Sequence, residues 1–74
     1  MHEITLKVGP VGSGWSIDCS LLEPIFFRSG ARAEAAGRDL ALHLSGAGHD
    51  VRMLICDRTE QYVVTHRYFG RFEA

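Results

Sequence analysis

The chain has 74 residues, 46% hydrophobic and 23% charged, with a formal net charge of -1. That composition describes one folded domain, 1–74, and excludes disorder; its near-neutrality argues against a protein whose affinity comes chiefly from neutralising phosphates. The uncharged run Val8 to Ile17 is broken by Gly9, Pro10, Gly12 and Gly14, so it is neither a membrane span nor a secretory core.

In "HEITLKV", Ile4, Leu6 and Val8 alternate with Glu3, Thr5 and Lys7, the period-two signature of a half-buried strand. "GPVGSG" is expected to turn the chain. "WSIDCSL" alternates again, with Trp15, Ile17, Cys19 and Leu21 on one side and Ser16, Asp18 and Ser20 on the other. Glu23-Pro24 is expected to break that strand, and "IFFR" to form a short third one.

A helix is expected from Ala31 to Ser45, with Ala33, Ala36, Gly37, Leu40 and Leu44 along one stripe. Glu34 and Arg38 stand four apart, in the favourable order for an ion pair, and point away from it. Gly46 and Gly48 mark its end. "DVRMLIC", the turn "DRTE" and "QYVVTHRYF" complete the chain as a hairpin. The expected architecture is α+β, βββαββ: an antiparallel sheet of about five strands with one amphipathic helix across one face.

Little in this order carries chemistry. Ser29-Gly30 precedes the helix, but without a Walker-type loop or a GxGxxG run Ser29 is read as an N-cap, not part of a phosphate cradle. His2, His43, His49 and His66 lack metal-site spacing among themselves and with Cys19 and Cys56, so no metal or cofactor is expected. The cysteines show no CxxC spacing and are read as small buried or half-buried residues of a reducing, cytoplasmic setting. No GxSxG elbow occurs, and a domain this small has little room for a walled pocket, so the chain is not read as an enzyme.

The segment "THRYFGRF" is the most suggestive. It interleaves Arg67, Tyr68, Phe69, Arg71 and Phe72, as surfaces that stack bases and hold phosphates do. The plainer reading is a last strand with one aromatic face in the core and a frayed tail after it. Tyr62, Val64, His66 and Tyr68 on one face, and Val63, Thr65, Arg67 and Phe69 on the other, each mix apolar with polar residues, as in a strand covered on both sides, the second by a dimer partner.

Gly14-Trp15 opening the second strand, Phe27 on the third, the "AEAAGRDLA" helix, Asp57 in the last turn and Tyr68 together resemble a family of small bacterial proteins classed as a domain of unknown function. Its pattern is a Gly-Trp strand, an alanine-rich helix and a C-terminal hairpin, and the likeness spans Leu6 to Tyr68. Arg58 stands where that pattern has glycine, and Ser29 where it has threonine. The resemblance implies this fold and a bacterial cytosolic setting, and brings no catalytic residues. HicB-type antitoxins, which bind a toxin, and the sheet-and-helix DNA-binding domains share the order of sheet then helix.

Two functions follow as expectations. The first is a non-catalytic binding or interaction module, a homodimer or the partner of another protein, with no membrane role. The alternative is a nucleic-acid-binding module using Arg28, Arg52, Arg67, Tyr68 and Arg71. Arginines gathered on one open face would favour nucleic acid; scattered ones would favour a protein. The strand faces also carry Lys7, diluted by Glu3, Asp18 and Glu60.

Overall fold

A computed structural model describes residues 3–59 and 62–70, with 62–64 described by backbone alone. Among these residues the chain forms β1 (Glu3–Val11), β2 (Gly14–Cys19), β3 (Leu22–Phe27), α1 (Gly30–Gly46), β4 (Asp50–Cys56) and β5 (Tyr62–Tyr68). The strands make a single sheet in the order β3-β2-β1-β4-β5, with α1 packed on one face.

The sheet is mixed, not antiparallel throughout. β1 pairs antiparallel with β2 and parallel with β4, while β2–β3 and β4–β5 are antiparallel. The reason is parity. Two hairpins bring β3 back to the direction of β1, and α1 then returns the chain to the end where β3 began. β4 therefore starts from the same end as β1, and docking at β1's free edge makes the pair parallel. A helical crossover is the connection parallel strands require.

Two strands run through residues expected to stop them. β1 continues past Val8, so that Gly9, Pro10 and Val11 pair with Ser16, Trp15 and Gly14. The pairing with β4 ends at Val8↔Ile55, so Pro10 has a strand on one side only, where its missing N–H is tolerated. β3 includes Glu23 and Pro24 because it is an edge strand, with a register irregularity between Ile17 and Cys19 of β2. The expected six-residue turn shrinks to Gly12-Ser13, where Gly12 takes φ 55. A two-residue hairpin needs such a left-handed residue.

The helix begins where its cap predicts. Ser29 has extended backbone, and its Oγ accepts from the Arg32 amide at 3.3 Å. Ser29→Ala is expected to lower stability by about 0.5–1 kcal/mol, the lower part of the range for cap removal because this bond is long; a urea titration of both proteins checks it. Glu34 and Arg38 pair at 2.5 Å on the solvent side. At the other end Gly48, at φ 98, turns the chain so that the His49 amide donates to the Leu44 carbonyl at 3.1 Å. Gly46 is still helical.

The buried helix stripe is Ala33, Gly37, Ala41 and Ser45, flanked by the half-buried Ala36, Leu40 and Leu44. Ala41 and Ser45 thus join the expected stripe, since the smallest side chains sit nearest the sheet. A Cβ on Gly37 would stand 2.9 Å from Val8 Cγ2 and 3.0 Å from Met53 Cε. Below the helix lie Ile4, Leu6 and Val8 of β1, Ile17 of β2, and Val51, Met53 and Ile55 of β4. This is the molecule's one apolar core among the described residues, and it occupies one side of the sheet only.

Candidate interaction surface

Among the described residues, the other side of the sheet carries no element. Register assigns its residues: Thr5 lies opposite Arg52 and Arg52 opposite Arg67; Lys7 lies between Asp18 and Leu54; Gly9 lies opposite Ser16, and a Cβ on it would stand 3.5 Å from Cys56 Cβ; and Ser16 lies opposite Phe26. All of these alternate with the buried Ile4, Leu6, Val8, Val51, Met53 and Ile55, so they share the face turned away from α1.

At the centre of this face the side chains are small. Ser16 is 6% exposed and Cys56 3% exposed, although no described element lies over them. Gly9, which has no side chain, forms the floor between them. The result is a shallow depression of about 220 Å³ lined by Lys7, Gly9, Pro10, Ser16, Asp18 and Cys56. Ser16 Oγ donates to Asp18 Oδ2 at 3.2 Å, fixing that carboxylate over the β2 side of the floor. The depression is smaller than the ~300–1,000 Å³ of small-molecule sites.

Charge is distributed unevenly across the face. On the β4–β5 side Arg52 Nε and Arg67 Nη1 each stand 3.7 Å from a different oxygen of the Glu3 carboxylate. One carboxylate therefore serves two guanidiniums, at separations beyond hydrogen-bond length, and Arg52 Nε has no hydrogen-bond partner. On the β2–β3 side stand Asp18 and, at the edge, the exposed Glu23. With Asp50 of β4 beside Arg52 and Arg67, the β4–β5 side carries one net positive charge. With Arg28 just beyond β3 beside Asp18 and Glu23, the β2–β3 side carries one net negative charge. Glu3 and Lys7 stand between them on β1.

β3 is apolar and uncovered. Among the described residues, four of the seven exposed large hydrophobic side chains are Leu21, Leu22, Ile25 and Phe26, and Phe26 is 68% exposed. Ile25 lies opposite Ile17 and so belongs to the helix side, whereas Phe26 belongs to the open face. The edge strand is therefore apolar on both faces.

The residues considered for nucleic-acid binding do not gather. Arg52 and Arg67 are cross-strand neighbours. Arg28 follows β3 at the opposite edge of the sheet, four strand spacings or ~19 Å away. Tyr68 lies opposite Val51, on the helix side, half-buried against the core. Arg71 lies outside the described residues, as do Glu60 and His2.

Sequence reading missed Arg58. Its guanidinium donates to the Gly12 and Ser13 carbonyls at 3.4 and 3.3 Å and stands 5.3 Å from the Trp15 ring centroid. It thereby ties the β4–β5 turn to the β1–β2 turn. Asp57 shapes its own turn by accepting from the Thr59 amide at 2.9 Å. Trp15, expected in the core, is half-buried between this guanidinium and the start of α1, where a Cβ on Gly30 would come within 2.8 Å of its ring. The two thiols are free and point to opposite faces of the sheet: Cys19 lies opposite Leu6, and Cys56 lies beside Gly9.

No protein-family model matches this chain, and no curated protein or solved structure matches it.

Proposed function

We propose that this chain is a non-catalytic interaction module that works as a homodimer, in a cytoplasmic setting, with the open sheet face and its β3 side as the contact surface. The observation that carries this reading is the uncovered apolar strand β3, where Leu22, Ile25 and Phe26 are 46%, 42% and 68% exposed. Contiguous exposed apolar surface of this kind marks interaction sites, and an uncovered edge strand is a liability that folds avoid unless something covers it. Size points the same way. A domain of ~60 residues buries only ~60% of its unfolded surface, and this one has packed a single face of its sheet.

The arginines favour a protein partner over nucleic acid. Arg52 and Arg67 are shared with Glu3, and Arg28 stands at the far edge. Tyr68 packs toward the core and offers no stacking platform beside them.

The test is sedimentation velocity across a concentration series for the wild type and for Phe26→Asp. The wild type is expected to sediment as a dimer. Phe26→Asp places a charge in the contact and is expected to weaken association by about tenfold or more, as loss of a buried aromatic anchor does. Because Phe26 is exposed in the single chain, its circular dichroism spectrum should not change. A wild type that stays monomeric at every concentration overturns the reading.

A further inference from the structure

We infer that two copies pack face to face across their open sheets, about a two-fold axis running along β1, so that Arg52 and Arg67 of each copy engage the acidic β2–β3 side of the other at Asp18. This rests on the homodimer reading above and specifies which surfaces meet.

Three observations lead to it. The first is charge. β1 is the middle strand of the order β3-β2-β1-β4-β5. Rotation by half a turn about an axis along β1 therefore lays β4 and β5 of one copy over β2 and β3 of the other. The net positive side of each face then meets the negative side of its partner, twice, as an isologous contact requires. No contact within one chain can do this. Asp18 and Arg52 lie on strands separated by β1, ~10 Å apart across the sheet and a further step along it. The side chains of Arg52 and Arg67 are 39% and 58% exposed, so guanidinium N–H groups other than the buried Arg52 Nε are open to the acceptors a second carboxylate would bring.

The second observation is shape. The axis passes over Glu3, Thr5, Lys7 and Gly9 of β1, each set against its own counterpart, and at Gly9 the floor is low and the flanking Ser16 and Cys56 are small. A low centre lets two sheets approach to the ~10 Å of stacked sheets, with strands of the two copies nearly aligned. Phe26, on the flank, is then carried over β5 of the other copy, and its exposed ring is covered.

The third is area. Five strands at ~4.8 Å spacing and about seven residues at ~3.3 Å each give a face of roughly 24 by 23 Å, or ~550 Å² in projection. Side-chain relief brings the accessible area toward the ~800 Å² per partner that a standard interface buries. An edge-to-edge pairing of the six-residue β3 would bury less and would leave the open face uncovered.

Lys7 lies opposite Asp18 on its own sheet. It shares that carboxylate's field, so each charge contact is expected to contribute modestly and to weaken in salt.

The experiment mixes two single variants of the full chain, Asp18→Arg and Arg52→Glu, each first checked by circular dichroism for an unchanged fold. Alone, each variant puts like charges together across the axis at both contacts, and its self-association is expected to fall by about tenfold or more at low salt. Mixed, they form a dimer in which both contacts are of opposite sign. Sedimentation or native mass spectrometry is therefore expected to find the mixed dimer in preference to either homodimer, with the preference fading as salt rises. Variants that each dimerise as the wild type does, and mix at random, overturn the face-to-face arrangement and leave the homodimer with the β3 edge as its contact. A monomeric wild type instead removes the reading beneath it.

Discussion

Leu6→Ala is expected to lower the unfolding free energy by about 3–5 kcal/mol, the upper part of the range for truncating a buried leucine. Leu6 has no exposed surface. It sits in the middle of the central strand, opposite Cys19 on β2 and Met53 on β4, with Gly37 of the helix directly above. Those neighbours belong to a hydrogen-bonded sheet on three strands and to a helix already in close contact with it. They have little freedom to collapse into the space left behind, so the cavity persists. Domains have only ~5–15 kcal/mol of stability in total, and a chain of this length stands toward the low end. The substitution therefore takes a large share of what there is. Urea unfolding at matched protein concentration measures it, since self-association stabilises the folded state by mass action. A shift of the midpoint with little change of slope is the expected result. A loss under ~1 kcal/mol, outside what a fully buried leucine costs, would mean that the core is centred elsewhere.

Gly37→Leu is expected to destabilise by ~2 kcal/mol or more, and comparison with Gly37→Ala separates the two effects involved. Replacing glycine inside a helix recovers about 0.8–1 kcal/mol of backbone entropy. Against this, a Cβ at position 37 already lies 2.9 Å from Val8 Cγ2 and 3.0 Å from Met53 Cε. Both are ends of side chains, and small movements accommodate one methyl, so alanine is expected to come out near neutral. Leucine adds three more carbons between a helix and a sheet that are already in contact, and overpacking of that kind costs ~1–3 kcal/mol or more. Thermal unfolding of the three proteins should rank wild type and Gly37→Ala together, with Gly37→Leu well below. A more stable leucine variant would mean that α1 stands farther from β1 and β4.

The candidate surface was only partly legible in the sequence. The alternation of Glu3, Thr5 and Lys7 with Ile4, Leu6 and Val8 identified one face of β1 as apolar and the other as polar. It did not say which strands would lie beside β1, and that decides which charges become neighbours. Arg52 and Arg67, fifteen positions apart in the chain, are adjacent because β4 and β5 form a hairpin. Glu3 joins them only because β1 runs parallel to β4. Asp18 is held away from both because β1 stands between β2 and β4. The burial of Cys56 was read from its residue type, but that of Ser16, on the face turned away from α1, had no sequence signal. Arg58 was equally silent, because its partners are the carbonyls of Gly12 and Ser13, more than forty positions away.

By itself the sequence determined the order βββαββ, the capped start of the helix at Ser29, its end before Gly48, and the apolar members of nearly every element. These depend on local periodicity and on the chemistry of single residues. The tertiary structure decided the parallel pairing of β1 with β4, the passage of β3 through Pro24, the burial of Ala41 and Ser45 on the helix face, and the distribution of charge across the open face. Each of these depends on which element occupies which edge or face of the sheet. Such placement is settled by burying the apolar faces of all the elements together, and no window along the chain contains that information.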